Sequence, residues 1–244
     1  MNDTPALVTL TLWGVPGSRV PAAVLRMATD RRRLSRTPGL TFAKLLGTGD
    51  GRTFTLRDAD PMHWGLLACW QSEQAAREAA DGPVARGWRG LAREQLQVTL
   101  RPLHSRGRWA GRTPFGQGPA SAPAAGPVAS ITRARLRIAT ARSFWRAVPP
   151  VSADLRQVPG LRLAVGIGEA PVGLQGTFSL WQDADALLDF AHRRAPHAEV
   201  ARRTSTEGWY LEELFARFSV VSVTGTFGGR APFGAPFEAR PGEG

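Results

Sequence analysis

Gly111-Arg-Thr-Pro-Phe-Gly116 returns near the C-terminus as Gly229-Arg-Ala-Pro-Phe-Gly234. Such a near-identity within one chain points to internal duplication, and a duplication changes the reading of everything between. Further matches follow in the same order. Pro38-Gly-Leu-Thr-Phe-Ala43 answers Pro159-Gly-Leu-Arg-Leu-Ala164, and Trp70-Gln71 answers Trp181-Gln182. Gly82-Pro-Val-Ala85 answers Ala195-Pro-His-Ala198, and Gly87-Trp88 answers Gly208-Trp209. The spacing between partners varies by about ten residues, which loop insertions absorb.

Each copy has the same hydrophobic pattern. In the first, Val8–Trp13 alternates as a strand, 21–33 shows a helical face, and Pro38-Gly39 turns into a strand over 40–46. Gly47-Thr-Gly-Asp-Gly51 has no phosphate-loop order and reads as a hairpin turn. Trp64–Trp70 is a short apolar run, hence a buried strand, Ser72 caps a helix over about 73–93, and 96–100 is a last strand. The second copy gives strands at 129–138, 161–167, 174–181 and 212–223. Its helices fall at 140–147 and after Asp183, with Pro196 breaking or restarting the latter. The order βαββαβ predicts an α+β fold in which each copy is a ferredoxin-like sandwich with helices on one sheet face. The bare sheet faces need cover. Two copies packed sheet to sheet supply it, as an α+β barrel of the dimeric type within one chain. The expected organisation is a first repeat over 1–115, a Pro/Gly/Ala linker over 116–127, a second repeat over 128–234 and a loose tail over 235–244.

Composition narrows the function classes. The chain has 244 residues and 43% hydrophobic composition, enough for a sizeable core. No apolar run is long enough for a transmembrane helix, and the start lacks signal-peptide features. Cys69 is the only cysteine, so no intrachain disulfide or cysteine-pair metal site forms. A cytoplasmic protein is expected. The net charge of +11 is almost all arginine, with Lys44 the only lysine. The arginines are spread along the chain and no nucleic-acid motif occurs, so no nucleic-acid partner is expected. Outward arginines would suit an anionic membrane surface.

The copies differ most tellingly at one position. The first has Val84 where the second has His197. Pro196 suits a first helical turn, and Arg193, Arg194, Arg202 and Arg203 surround the histidine. A neutral imidazole among guanidinium groups can hold a haem iron while the arginines take the propionates. Valine to histidine is also ordinary drift on an exposed turn, and a solvated helix face serves each arginine equally well. His192 lies off the spacing that would pair it with His197 on one helix face, and His63 and His104 read as structural. No zinc or facial-triad spacing and no nucleophile elbow is present. Trp70 and Trp181 close equivalent strands and are expected in the core.

Longer stretches carry a resemblance. Pro38–Gly49, Ser105-Arg-Gly-Arg-Trp-Ala-Gly-Arg-Thr-Pro-Phe115, Phe144-Trp-Arg-x-Val-Pro149, Gly166-Ile-Gly-Glu169, Thr177-Phe-Ser-Leu-Trp181, Ala195-Pro-His-Ala198 and Glu207–Phe218 together resemble the spheroidene monooxygenase family, the acyclic carotenoid 2-ketolases. The resemblance spans nearly all of 8–233. It implies a haem-dependent monooxygenase that hydroxylates an acyclic carotenoid and, in a second round, yields a ketone. The family's histidine falls on His197, the metal ligand, with Arg193, Arg202 and Arg203 as candidate propionate contacts. It implies O2 and an external electron donor of the ferredoxin type, and a site of action at or near the inner face of a membrane. The alternatives are a non-catalytic haem or apolar-ligand carrier, or a cofactor-free oxygenase on the same architecture.

Overall fold

The computed structural model describes residues 4–50, 58–116, 126–140, 143–146, 154–155, 157–169, 174–193 and 208–239. The first module runs β1 (Leu7–Gly14), α1 (Val20–Leu34), β2 (Leu40–Gly49), β3 (Ala59–Trp70), α2 (Glu73–Ala80), α3 (Pro83–Arg89) and β4 (Glu94–Gly107). The second contributes β5 (Val128–Leu136), β6 (Leu161–Gly168), β7 (Leu174–Trp181), α4 (Ala184–Arg193) and β8 (Tyr210–Gly225), followed by β9 (Phe237–Glu238). This is an α+β fold with a wholly antiparallel sheet.

Both modules have one strand order. The first is β4-β1-β3-β2 and the second, read the same way, is β8-β5-β7-β6. Each module's two edge strands would be open if it stood alone. Instead β2 pairs with β6 through Gly47↔Gly168 to Gly49↔Gly166, and β4 pairs with β8 from Leu96↔Gly225 to Gly107↔Leu214. The pairings therefore run full circle through eight strands. Strand alternation then sorts side chains to two faces. Val8, Leu10 and Leu12 join Leu96, Val98, Ile131, Phe178 and Phe218 in the cluster inside the circuit, while Leu7 and Trp13 join the helices outside.

The repeated hexapeptide has a mechanical use. After β4, Trp109 N donates to Arg112 O at 2.8 Å, and after β8 Phe227 N donates to Arg230 O at 3.0 Å. Each tight turn sends a phenylalanine back into the inner cluster. Phe115 is buried edge-on to Phe218, with centroids 4.9 Å apart, and Phe233 packs there beside Phe237. The Pro-Gly pair is equally specific. Gly39 (φ 71°) and Gly160 (φ 87°) lie in the left-handed region, and a Cβ on either would strike Ala75 of α2 or Ala186 of α4.

Several elements differ from the sequence reading. The single helix expected over 73–93 is two, because Asp81 ends α2 and Pro83 starts α3 at its first position, where its missing N–H costs nothing. Of the helix expected over 140–147, residues 143–146 are helical and Thr140 ends a 3-10 turn, Ile138–Thr140, while 141, 142 and 147 lie outside the described residues. β3 and β4 exceed their apolar runs, because their polar ends, such as His104–Arg106, are paired across strands. Part of the tail is ordered, since β9 pairs with β8 through Val223↔Phe237. Ser72 and Asp183 do cap their helices, accepting from Ala75 N (3.2 Å) and Ala186 N (2.8 Å).

Candidate functional site

Strand register aligns the modules residue by residue. Leu7 pairs with Trp70, and Val128 pairs with Trp181, so position 7 corresponds to 128. On that alignment the helix-facing residues Thr9, Thr11 and Trp13 of β1 answer Ser130, Thr132 and Ala134 of β5. Trp64 of β3 answers Gln175 of β7.

These replacements matter because of what the tryptophans do. Trp13 stacks on Trp88 with centroids 5.1 Å apart and planes within 11°. Trp64 leans on the same indole at 6.3 Å. The three pack together between the sheet and Trp88's part of α3, within one continuous cluster from Leu7 to Trp88. The second module keeps only the Trp88 equivalent, Trp209, fully buried and edge-on to Phe144 at 5.7 Å, with its Nε1 donating to Ser143 Oγ at 3.2 Å. Among the described residues, its helix side forms two separate clusters. One joins Val128, Trp181, Leu187 and Phe190, and the other joins Leu136, Phe144 and Trp209. Ala134 and the exposed Thr132 belong to neither cluster. The sheet's outer face there is floored by small residues, with Ser130 and Ser179 hydroxyls 2.8 Å apart and Trp181 Nε1 donating to Ser179 at 2.9 Å.

His197, Arg202 and Arg203 lie outside the described residues. Arg193 ends α4, but its side chain is outside them too, as is that of His192. The first-module counterpart of His197, Val84, is among the described residues. Val84 is not on an exposed turn: it is 7% exposed, at the start of α3, and lines a cavity of about 500 Å³ between sheet and helices. Trp70 and Trp181 are buried as expected. His63 is structural, its Nδ1 2.6 Å from Asp60 and its Nε2 2.9 Å from Glu94. His104 lies within β4, with a buried Nδ1 that has no hydrogen-bond partner among the described residues. Among the described residues no three His, Cys, Asp or Glu side chains gather as a metal site.

One constellation escaped sequence reasoning. At the β2–β6 seam, Glu169 accepts from Lys44 Nζ (2.5 Å), Trp109 Nε1 (2.6 Å) and buried Arg133 (3.1 Å), and Arg133 also pairs with Glu212. Burial pushes the Glu169 carboxyl up, but its bonds to Lys44 and Trp109 and the nearby cations outweigh that and hold it below its usual range. The cluster ties the modules together. The clue was there: the single lysine of the chain, and a glutamate ending Gly166-Ile-Gly-Glu169. The partners are 125 residues apart in sequence, which local patterns do not connect.

No protein-family model matches the chain. It is similar to spheroidene monooxygenase of Rhodobacter capsulatus, 35% identical over 93% of this chain and 95% of the relative. It is 38% identical to spheroidene monooxygenase of Rubrivivax gelatinosus, over 79% of this chain and 73% of the relative. Among solved structures, an aldoxime dehydratase in complex with butyraldoxime superposes with a TM-score of 0.59, over 89% of this chain and 80% of that one, at 13% identity. The likeness to the dehydratase is one of fold.

Proposed function

The chain belongs to the spheroidene monooxygenase family, and from that premise we propose that it is a monooxygenase acting on an acyclic carotenoid, with its ligand pocket on the outer face of the second module. The observation carrying this placement is the exchange of the stacked Trp13 and Trp64 for Ala134 and Gln175 at identical registers. Two indoles fewer in that layer support a ligand beside it, with Ala134 buried and Trp145 packed against the Trp209 cluster. The fold reading that goes with it is a duplicated α+β barrel, modules 1–115 and 128–234 joined at 116–127, supported by the shared strand order.

A haem would need an imidazole ligand and an apolar pocket. Val84, the counterpart of His197 in the repeated sequence, lines the first module's cavity, which supports His197 as the residue that would hold the iron. Phe144 and Trp209 supply apolar wall, and Arg193, Arg202 and Arg203 are the candidate propionate contacts. When bound, the haem supplies oxygen activation, with electrons from an external donor of the ferredoxin type. The chain's part is to hold the polyene end against the small-residue floor and to exclude water. No described helix is long and apolar enough to cross a membrane. The proposed route to a membrane-dissolved substrate is from the membrane surface, which the arginine-rich composition suits.

The test is spectroscopic first. Hemin added to the purified chain gives a Soret band that His197→Ala abolishes. Spheroidene, O2 and reduced ferredoxin then give an oxygenated product. A Soret band without product supports the carrier reading, and product without haem supports a cofactor-free oxygenase.

A further inference from the structure

The first module has a cavity where it has no histidine. About 500 Å³ lies between the outer face of β1 and β4 and helices α1–α3, a volume typical of small-molecule sites. Its helix side is apolar, with Ala75, Ala76, Ala79 and Val84. Its floor is polar but uncharged. Trp70 Nε1 donates to Thr9 Oγ1 and Trp13 Nε1 to Gln95 Oε1, both at 2.9 Å. Gln95 Nε2 reaches Gln97 Oε1 at 3.5 Å. These contacts use up acceptors. The Gln97 amino group and the Thr11 hydroxyl remain as donors without a protein partner among the described residues. At the mouth stand Arg33, Arg36 and Arg89 against one carboxylate, Glu78. Arg33 is held by Asp30 at 2.6 Å and Arg89 by Asp81 at 3.1 Å, while Arg36 has no carboxylate partner among the described residues.

We infer that this cavity is a second ligand site, for an organic anion with a short apolar body. Donors on the floor and cations at the mouth call for a ligand rich in oxygen acceptors, and the alanine wall calls for hydrocarbon behind them. A neutral polyene would leave the Arg36 guanidinium unmatched. Val84 offers no metal ligand, so the site differs in chemistry from that of the second module.

Octanoate is the probe, with octan-1-ol as its uncharged control, titrated into the full chain. The indole N–H resonances of Trp13 and Trp70 report binding by NMR. Octanoate shifts both and leaves Trp209 unmoved. Arg36→Glu weakens octanoate about tenfold, the size of one lost charge-assisted hydrogen bond, and leaves octan-1-ol unaffected. Ala79→Trp fills the space and abolishes both. Should that variant fail to fold, Arg36→Glu, on an exposed side chain, carries the test alone. His197→Ala leaves octanoate binding intact, so a failed haem site and a failed anion site are distinguishable. Octanoate that shifts Trp209 instead, or binds Arg36→Glu as tightly as wild type, overturns the inference.

Discussion

Glu94 and Glu212 occupy the same position in the two modules, and each clasps the turn into which the other's strand runs. Glu94, opposite Gly14, accepts from Gly228 N and Gly229 N beyond β8, at 3.1 and 2.9 Å. Glu212, opposite Arg135, accepts from Ala110 N and Gly111 N beyond β4, at 2.9 and 2.7 Å. The clasps are reciprocal, so each module closes the turn that seats a phenylalanine from its neighbour. Replacing Glu94 or Glu212 by alanine removes two bonds to exposed amides and a charge-assisted bond to His63 or buried Arg133, and is expected to cost about 1–3 kcal/mol in each case. Urea unfolding measures the loss. Amide exchange locates it, at Gly228 and Gly229 for Glu94→Ala and at Ala110 and Gly111 for Glu212→Ala. Unchanged exchange at those amides would sink the assignment.

His63 makes the first clasp pH-sensitive. Both ring nitrogens face carboxylates, and a neutral imidazole has only one N–H to give. The hydrogen bond to Asp60 raises the His63 pKa above 6.5; burial opposes this, and Glu94 adds to the rise. A raised folded-state value means that stability is fully present below 6.5 and is lost as pH rises through that raised value. Asp60 is held low chiefly by His63. Burial pushes Glu94 up, but its bonds to His63, Thr226 and the two glycine amides leave it low, so their contributions vanish on acidification. Unfolding free energy measured against pH therefore falls on the alkaline side in wild type more than in His63→Gln. Parallel curves would refute it.

The repeated words were legible because they are short and nearly identical, and the strands add one shared strand order to them. Alternation placed the strands of both modules to within a few residues wherever one face is apolar throughout, as in Leu7–Gly14 and Leu174–Trp181. It failed where polar strand ends are satisfied by the other module, as in the second half of β4, because the partner is over a hundred residues away. The candidate site was half legible. Val84 against His197 is a difference visible in one line of sequence. Trp13 against Ala134 is equally visible, yet it has no meaning until the structure shows Trp13 stacked on Trp88.

Cys69 is expected to be chemically silent in the native state. It sits inside the circuit at 0% exposure, and burial pushes its thiol far above the ordinary range, so little thiolate exists at neutral pH. A thiol reagent such as 5,5′-dithiobis(2-nitrobenzoate) should label it only in denaturant. Stoichiometric labelling of the folded chain at neutral pH would contradict its placement.

The sharpest test exchanges the two modules' fillings. Ala134→Trp places an indole at the register position Trp13 occupies, facing Trp209, and is expected to leave the strand order intact while abolishing hemin uptake and carotenoid turnover. Trp13→Ala does the reverse in the first module. It removes the partner of the Trp88 stack and is expected to cost about 3–5 kcal/mol, because a buried aromatic leaves a cavity the backbone closes only in part. That variant gains no Soret band, since Val84 still offers no ligand. If Ala134→Trp binds hemin as wild type does, the ligand does not lie against β5, and the assignment of the outer face of the second module fails however the family acts.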